Sequence, residues 1–439
     1  DVTTRYATNQ ESELVPIRVR ATDENGKRKV VHVTVANAAG ELILDGNTKN
    51  DNADANDHLT FMLPNGETYS VISSTDAVKI NIESESIVDL TVGTLTESGA
   101  KSYASQLWKQ RGVSLENNTV EYGGKTMPFW YTTYGDATFG KKSLWISMHG
   151  GGGTTTAINN SQWENQKKLY KPNEGIYLVP RAPTDTWNLW HQSHVDPMFE
   201  KLIAYMIKTE GVDPNKVYIV GYSAGGDGVY QLAPRMADRF AGAGMMAGHP
   251  NETIPDGLRN IAFALHVGAK DAAYDRNKIG WEWKDKLAAL QEADPDGYVH
   301  QVVVHEGKGH WMDKEEASAL EWMATFTRNP HPQKIVWVQD DVLHDQYYWL
   351  GVDEPVARTK IVASIEDQTV TIHESDVNKI TVYLNDSMLD LEKPIIMKYK
   401  DKMIGTQNVI RDRNVIQKTL RDPKDYYTAS LSFELPKCP

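Results

Sequence analysis

The segment with the clearest chemical potential is the pentapeptide Gly221-Tyr222-Ser223-Ala224-Gly225. An apolar, β-branched run precedes it and a stretch of small residues follows it, which predicts a strand, a sharp turn and a helix. A serine on such a turn is held out of the sheet, and the first N–H groups of the next helix lie beside it. Glycine at both ends suits a turn in which a Cβ would collide with neighbouring chain. The pattern predicts Ser223 as a nucleophile.

A nucleophilic serine needs a base, and the base needs a carboxylate that orients it. After a strand–turn–helix serine, the expected chain order is Asp or Glu and then His. Two later apolar runs indicate buried parallel strands, and they end in Gly268-Ala269-Lys270-Asp271 and Gly309-His310-Trp311. Because functional groups of open α/β sheets lie at the carboxyl ends of strands, we predict Asp271 as the acid and His310 as the base.

Other residues compete for these roles. Asp275 lies four residues after Asp271 and is an alternative acid, whereas Asp227 follows the serine turn directly and is more typical of a residue that caps or lines the helix. His266 and His305 lie in or at the edge of apolar strands, where a buried, hydrogen-bonded histidine is the common outcome. Gly309 beside His310 suits an exposed loop that can bring an imidazole to the serine.

A fourth chemical feature is the run His149-Gly150-Gly151-Gly152-Gly153, which follows an apolar strand. Consecutive glycines allow the backbone to approach a substrate oxygen closely. We predict an oxyanion hole in which one N–H comes from Gly150 or Gly151 and the other from Ala224. A flexible linker is less consistent with the preceding buried strand, and a phosphate loop would need Lys-Ser or Lys-Thr after the glycines.

These motifs give the region from about residue 120 to 328 a family resemblance. It resembles an α/β-hydrolase of the esterase group that includes polyhydroxybutyrate-depolymerase-like and feruloyl-esterase-like enzymes, whose catalytic histidine is often followed by tryptophan. The resemblance implies an α/β-hydrolase fold, a Ser-His-Asp triad, no cofactor, and an exported protein that is secreted or periplasmic. The matching segments are His149–Gly153, Gly221–Gly226, Gly268–Asp271 and Gly309–Trp311.

Length and composition limit the possibilities. The chain has 439 residues, which predicts two or three domains. Its net charge of −13 disfavours nucleic acid and anionic membranes as partners, and it favours a neutral ester or polysaccharide over a polyanion. The apolar runs are too short to cross a bilayer. Because Cys438 is the single cysteine, no intramolecular disulfide is possible.

The pattern along the chain predicts an α/β-hydrolase domain flanked by all-β domains. Residues 1–92 alternate in short strands and predict a β-sandwich, and residues 93–115 predict a linker with a short helix. Residues 116–328 alternate strand and helix, which predicts a mostly parallel sheet covered on both faces, and residues 331–439 predict a second β-sandwich. Within 116–328 we predict helices at Gln162–Tyr170, Pro197–Glu210 with Asp196 as its cap, Trp281–Glu292 and Glu315–Thr327.

Several aromatic and polar residues are candidate binding groups. Trp187, Trp190, His191 and Trp311 follow predicted strand ends and could form a wall for a sugar or phenolic group, with a lid or simple core packing as the alternative. His249 is a weaker pocket candidate. The run from Tyr347 to Trp349 could bind carbohydrate, although alternating core and surface aromatics on a strand are the safer prediction.

Metal binding has little support in the sequence. The acidic run Asp51–Asp57, with Asp45, could hold Ca²⁺, but the glycine of an EF-hand loop is missing and a solvated acidic loop is the simpler interpretation. No His/Cys or His/carboxylate cluster has zinc spacing.

The combined prediction is a serine esterase that acts on acetyl or feruloyl esters of plant or algal polysaccharide through Ser223, His310 and Asp271. The alternatives are a serine peptidase or polyester depolymerase on the same triad, and a non-catalytic carbohydrate-binding protein. A peptidase of the prolyl-oligopeptidase type would need a propeller, for which neither β region is long enough. The sequence does not define the oligomeric state.

Overall fold

The computed structural model describes residues 13–23, 28–49, 59–73, 76–84, 86–92 and 95–435. The chain divides into two compact units. The larger unit comprises Gly112–Val382, Ile395–Gln407 and Ser432–Pro439, and the smaller unit comprises Asp1–Arg111, Tyr383–Pro394 and Asn408–Leu431. The predicted acidic segment Asp51–Asp57 lies outside the described residues, and the three-domain division remains a prediction.

Strands occur throughout the described residues. In chain order they are β1 (Leu14–Asp23), β2 (His32–Ala36), β3 (Leu42–Asn47), β4 (Leu59–Pro64), β5 (Thr68–Ile72), β6 (Ala77–Asn81), β7 (Ser86–Val92), β8 (Thr119–Tyr122), β9 (Lys125–Tyr134), β10 (Lys142–Met148), β11 (Gly175–Pro180), β12 (Val212–Tyr222), β13 (Gly242–Met246), β14 (Ala262–Gly268), β15 (His300–His305), β16 (Lys334–Val338), β17 (Gln346–Tyr347), β18 (Leu350–Gly351), β19 (Lys360–Glu366), β20 (Thr369–Ser375), β21 (Lys379–Leu384), β22 (Ile395–Tyr399), β23 (Lys402–Gln407) and β24 (Ala429–Glu434).

The α-helices are fewer and most lie in the larger unit. They are α1 (Glu97–Gln110), α2 (Thr156–Gln166), α3 (Val195–Glu210), α4 (Ala224–Arg235), α5 (Arg276–Ala293), α6 (Ser318–Met323) and α7 (Arg413–Thr419). Within the described residues, none of these helices is both long enough and apolar enough to cross a membrane.

The larger unit is built on an eight-stranded sheet with the order β15-β14-β13-β12-β10-β11-β9-β8. Strands β10 to β15 run parallel to one another, whereas β9 is antiparallel to both β11 and β8. The exchange of β10 and β11 relative to chain order, together with the antiparallel strand, is the arrangement of the α/β-hydrolase fold. The predicted α/β class is confirmed.

The central strands are continuous apolar runs because both faces of the sheet are covered. Every residue of β11, β13 and β14 is buried. Helix α3 buries a face that includes Phe199, Leu202 and Ile203, and it is capped at its C-terminus by Gly211, which has the left-handed conformation with φ 72°. Each fully buried side chain of this size contributes roughly 1.5–3 kcal/mol. This sheet is therefore a rigid base for the residues at its strand ends.

Further strands of the larger unit form a second sheet with the order β16-β19-β20-β22-β23. The adjacent aromatic run is buried. Tyr347, Tyr348 and Trp349 are each at most 1% exposed, and the Tyr347 hydroxyl donates to the carbonyl of Gly257 at 2.8 Å. These aromatic side chains therefore all pack in the core, and the predicted alternation of core and surface aromatics on a strand is wrong, because β17 ends at Tyr347 and all three rings turn inward.

The smaller unit contains a sheet of order β4-β1-β7 and a sheet of order β3-β2-β5-β6. Residues from both sheets, including Val19, Val35 and Tyr69, form one hydrophobic core. The strands lie where the alternating pattern predicts them, and the β-sandwich description remains a prediction. Helices α1 and α7 also belong to this unit, and Gln417 Nε2 donates to the Tyr103 hydroxyl at 2.6 Å.

The helix predicted at Gln162–Tyr170 is observed at Thr156–Gln166, and the one predicted at Glu315–Thr327 is shorter, at Ser318–Met323. Two further differences have identifiable reasons. Helix α1 has 14 residues, which is longer than the short helix expected in a linker, because Thr96 caps it and one face buries Ala100, Tyr103 and Trp108. Helix α3 begins at Val195, so the prediction of Asp196 as its cap is wrong. The Asp196 carboxylate is instead buried and accepts two hydrogen bonds from Arg235, at 2.6 and 3.0 Å.

Candidate active site

Ser223 lies on a sharp turn between β12 and α4. Its backbone has φ 58° and ψ −119°, a conformation that costs a non-glycine residue energy and that is typical of functional sites. A Cβ on Gly221 would overlap the carbonyl of Gly225, and a Cβ on Gly225 would overlap the carbonyl of Met148. The two glycines therefore permit the close packing that the turn requires, as the sequence predicts.

The structure brings Ser223, His310 and Asp271 together. His310 Nε2 lies 3.0 Å from Ser223 Oγ, and His310 Nδ1 lies 2.8 Å from Asp271 Oδ2. A carboxylate only accepts, so Nδ1 carries the imidazole proton and Nε2 is free to accept the serine proton. Asp271 is 3% exposed, whereas the His310 side chain is 44% exposed. The result is a buried carboxylate, an accessible imidazole and a strained serine in one hydrogen-bonded line.

The segments that carry Asp271 and His310 are held against each other through their backbones. Ala269 N–H donates to the carbonyl of His305 at 2.9 Å, and Lys270 N–H donates to the carbonyl of Lys308 at 2.8 Å. A Cβ on Gly268 would overlap the carbonyl of Gly309, so glycine is needed for this approach. The distance from Asp271 to His310 is thus set by backbone pairing at the ends of β14 and β15.

Tyr222 fixes the other side of the His310 loop, a role that the sequence analysis did not predict. Its hydroxyl donates to the carbonyl of His310 at 2.6 Å and accepts from the N–H of Met312 at 3.0 Å. Its ring meets the His310 ring edge-on, with centroids 6.0 Å apart. Burial raises the pKa of Tyr222 well above its usual range, so the hydroxyl stays protonated and keeps donating. The sequence signal was its position directly before the serine.

The glycine run lies beside the serine. A Cβ on Gly150 would lie 3.3 Å from Ser223 Cβ, and Gly151 and Gly152 have φ 99° and 79°. In the described residues, the N–H groups of Gly150, Gly151 and Ala224 donate to no protein acceptor, and Ala224 is the first residue of α4, whose N–H a helix leaves free. Free donors next to Ser223 are what an oxyanion hole needs.

A network of buried hydrogen bonds holds this glycine run in place. Asn159, which is 0% exposed, accepts from Gly152 N–H at 2.8 Å and donates to Asp185 Oδ1 at 2.9 Å. Hydrogen bonds from Thr156, and then from Arg181, lower the pKa of Asp185 and keep it charged. The loop is therefore preorganised by side chains from α2 and from the segment after β11.

His149 is also part of that support. Ala182 N–H donates to His149 Nε2 at 3.1 Å, so the ring proton is on Nδ1, which donates to the carbonyl of Gly150 at 2.6 Å. Burial lowers the pKa of His149 to about 4, so the ring is neutral at neutral pH. Trp190 Nε1 donates to the carbonyl of His149 at 3.0 Å.

The four predicted substrate-binding side chains lie in different surroundings. Trp311 is 50% exposed and lines the cavity at Ser223, whereas Trp190 is 0% exposed and packs behind the glycine run. Trp187 is 63% exposed and meets the His191 ring edge-on at 5.5 Å; neither lines that cavity. The predicted aromatic wall is thus reduced at the cavity to Trp311, because the other rings turn toward the core or toward each other.

The side chains of the competing acids and histidines bind other partners than Ser223 and His310. Asp275 pairs with Lys278 at 2.9 Å on the surface, and Asp227 accepts from the N–H of His249 at 2.6 Å. His266 and His305 form a buried pair with 2.9 Å between Nδ1 and Nε2, and burial lowers the pKa of His266 to about 4.

A cavity of about 550 Å³ opens beside Ser223. Helix α2 and the residues after it form one wall, and the His310 loop forms the other. Its lining residues are Gly150, Gly151, Gln162, Asn165, Gln166, Lys168, Leu169, Tyr222, Ser223, His310, Trp311 and Lys314. The mixture of amides, lysines and one half-exposed indole suits a small or medium polar substrate.

One acidic group in the larger unit has the geometry of a cation site. Single oxygens of Glu252, Asp340 and Asp341 lie within 4.8 Å of one another. Arg358 already binds Asp340 at 3.0 Å and Asp341 at 2.7 Å, so their charge is compensated. We assign no metal there.

Comparison with known proteins gives structural matches only. No family model matches the chain, and no curated protein matches it. Solved structures similar to it include Est1E from Butyrivibrio proteoclasticus (14% identity, 47% of this chain and 95% of that chain, TM-score 0.31), a ferulic acid esterase (16%, 47% and 95%, 0.34) and a thermostable esterase (13%, 73% and 100%, 0.35). At these identities and TM-scores we base the function on the geometry of the site.

Proposed function

We propose that the chain is a serine esterase that hydrolyses carboxylic esters through an acyl-enzyme on Ser223. The observation that carries this proposal is the unbroken line of hydrogen bonds from Asp271 through His310 to Ser223, at 2.8 and 3.0 Å. Nucleophile, base and orienting carboxylate in this order are the minimum for activating a serine hydroxyl.

In the first half-reaction, Ser223 Oγ attacks the ester carbonyl while His310 Nε2 takes its proton. Asp271 holds the imidazole in the required tautomer and stabilises the imidazolium that forms. The carbonyl oxygen becomes an oxyanion, and the free N–H groups of Ala224 and of Gly150 or Gly151 bind it. His310 then protonates the leaving alcohol, and the acyl group remains on Ser223.

In the second half-reaction, water replaces the alcohol. His310 takes a proton from water, the hydroxide attacks the acyl carbonyl, and the same N–H groups stabilise the second oxyanion. Return of the proton to Ser223 releases the acid. Because the donors are preorganised by Asn159 and His149, little reorganisation is required during either attack.

The substrate class that we propose is an acetyl or feruloyl ester on a polysaccharide, for a secreted or periplasmic protein. The half-exposed Trp311 ring and the amides of Gln162 and Asn165 support this class, because indole faces and amides bind sugar rings and phenolic groups.

The test compares wild type with Ser223→Ala on 4-nitrophenyl acetate, methyl ferulate, acetylated xylan and a peptide amide. Ser364→Ala is the matched control, because Ser364 Oγ also lies close to a histidine nitrogen, His373 Nε2, at 2.6 Å. We expect Ser223→Ala to lose at least about a thousand-fold in kcat on the preferred ester and the control to lose nothing.

Other outcomes would redirect the proposal. Efficient cleavage of the peptide amide without ester turnover would support a peptidase on the same residues. If Ser223→Ala keeps wild-type turnover, the nucleophile is misassigned. If the wild type cleaves no substrate in the panel, a binding protein becomes the better hypothesis.

A further inference from the structure

The charges at the cavity differ in sign from the charge of the whole chain. Within the described residues, the charged side chains that line the cavity beside Ser223 and His310 are Lys168, just after α2, and Lys314, between the His310 loop and α6. The lining contains no aspartate or glutamate, although the chain carries a net charge of −13. Two cations therefore face the same space as the nucleophile.

Neither Lys168 nor Lys314 forms a salt bridge in the part of the chain that the structure describes. The carboxylates nearest in sequence are bound elsewhere. Asp313 and Glu315 both bind Lys308, at 2.7 and 3.0 Å.

The carboxylate nearest in sequence to Lys168 also binds a different lysine. Glu164 binds Lys167 at 2.6 Å, and Lys167 also lies 3.7 Å from the centre of the Trp163 ring. Lys168 is the neighbour that keeps an exposed ammonium at the cavity.

Lys314 does interact electrostatically with one carboxyl group, that of Glu316. Glu316 is 0% exposed, accepts a hydrogen bond from the Tyr170 hydroxyl at 3.0 Å, and has a pKa that burial raises. It is fixed in the interior and does not line the cavity, so the Lys314 ammonium remains available there.

Local and overall charge act at different ranges. At physiological salt, the screening length is about 8 Å, so a group bound at Ser223 feels the nearby lysines more than the distant negative charges. A long polyanion would still be repelled by the protein surface. Nearby positive charge and distant negative charge together favour a substrate with a single negative group close to the reacting carbonyl.

We propose that the ester cleaved at Ser223 carries an anionic group, such as a carboxylate, beside its scissile bond, and that Lys168 and Lys314 bind this group. The inference rests on the proposed esterase function and specifies acidic esters as its substrates: an anionic alcohol part is compatible with an acetyl or feruloyl ester, and an anionic acyl part would replace those acyl groups. The carboxylate belongs either to the acyl part or to the alcohol part, and the same two lysines serve both arrangements.

The test uses two pairs of esters that differ in charge. The acyl pair is 4-nitrophenyl hemisuccinate against 4-nitrophenyl butyrate, and the alcohol pair is 4-acetoxybenzoate against 4-acetoxybenzamide. For each pair, the ratio of kcat/KM for the charged ester to that for the neutral ester is measured in wild type, Lys168→Met, Lys314→Met and the double variant. Lys171→Met is the control, because Lys171 is exposed but does not line the cavity.

We expect each single substitution to lower the ratio by about three- to five-fold in one of the pairs, and the double substitution by about ten-fold, mainly through KM of the charged ester. In wild type, the ratio falls as salt rises from about 0.02 to about 0.5 M, since screening weakens the attraction. A change in the acyl pair locates the anionic group in the acid, and a change in the alcohol pair locates it in the alcohol.

An unchanged ratio in the double variant for both pairs would overturn the proposal, and so would an equal change in Lys171→Met. Failure of the esterase function itself looks different. In that case wild type would cleave neither member of any pair, or Ser223→Ala would cleave both as wild type does.

Discussion

Two hydrogen-bonded serine–histidine pairs lie in the larger unit. Ser223 Oγ is 3.0 Å from His310 Nε2 at the edge of the eight-stranded sheet, and Ser364 Oγ is 2.6 Å from His373 Nε2 on neighbouring strands β19 and β20. By distance alone, the second pair is the tighter. The surroundings of the two pairs are nevertheless very different.

Ser364 is an ordinary strand residue. Strand β19 is paired on one side with β16 and on the other with β20, so the backbone groups of Ser364 belong to the two ladders. No carboxylate is bound to the other ring nitrogen of His373 among the described residues. Ser223 has a strained turn, a helix start with free donors, and Asp271 behind its histidine.

The comparison shows that a serine–histidine hydrogen bond is insufficient for catalysis. An activated serine also needs a fixed tautomer on the base and donors placed where negative charge develops. Both requirements are met at Ser223 by groups on other segments of the chain. Substitutions can remove the orienting carboxylate and the oxyanion donors one at a time, which leaves Ser223 and His310 with surroundings more like those of Ser364 and His373.

The largest expected effect comes from removing the carboxylate. Asp271→Asn keeps the size of the side chain but no longer fixes the proton on His310 Nδ1, so we expect kcat for 4-nitrophenyl acetate to fall by about 10⁴-fold. Asp275→Asn is the control, because Asp275 is exposed and binds Lys278. A large loss in the control with a small loss in Asp271→Asn would exchange the two assignments.

The next effect concerns the oxyanion donors. Gly151 has φ 99°, and a Cβ there would overlap the Asn159 oxygen that supports Gly152. We expect Gly151→Ala to lower kcat by about 10²- to 10³-fold. Gly140→Ala is the matched control, because Gly140 has φ 84° and open space around it, so it introduces the backbone strain without touching the site. Equal losses in both variants would assign the effect to strain alone.

A smaller effect is expected from Tyr222, which we regard as a positioning residue. Tyr222→Phe removes the hydroxyl that holds His310 and Met312, and we expect kcat to fall by about ten-fold with little change in KM. Tyr218→Phe is the control on the same strand, since the Tyr218 hydroxyl also donates to a backbone carbonyl, that of Phe326, at 2.6 Å. If the role of Tyr222 were only structural, both variants would lose stability alike and kcat would not distinguish them.

The parts of the site that the sequence predicts well are those encoded by local pattern. Gly221 and Gly225 mark the turn because their neighbours leave no room for a Cβ, and Asp271 and His310 each follow an apolar strand whose end lies at the same edge of the sheet. The α/β class follows from the same alternation of strands and helices. None of these inferences requires knowledge of distant contacts.

The parts that the sequence analysis missed depend on tertiary packing. For Trp190 the sequence left a pocket wall and core packing open, and the choice of the core depends on a hydrogen bond from its indole N–H to the carbonyl of His149, 41 positions away. Asp196 pairs with Arg235, 39 positions away, and so does not cap α3. The role of Tyr222 likewise depends on a loop that begins more than 80 positions later.

The smallest expected effect concerns stability at acid pH. It compares a buried histidine near the first pair, His149, with the exposed histidine of the second pair, His373. Burial lowers the pKa of His149 to about 4 from the ordinary 6.5, whereas His373 is an exposed residue whose pKa is lowered by partial burial of its ring. Between these two values the unfolded chain takes up a proton at His149 and the folded chain does not. The stability that His149 contributes is therefore complete above pH 6.5 and is lost as the pH falls toward 4.

We expect the free energy of unfolding, measured with urea between about pH 7 and about pH 5, to fall with a slope that His149→Gln reduces by up to about 1.4 kcal/mol per pH unit. His373→Gln is the control and should change the slope less, because that ring is already accessible to water. Equal slopes for wild type and His149→Gln would mean that the ring is protonated alike in both states. In that case Nε2 would be protonated in the folded chain below about pH 6.5 and could no longer accept from Ala182 N–H, although Nδ1–H would still donate to the carbonyl of Gly150.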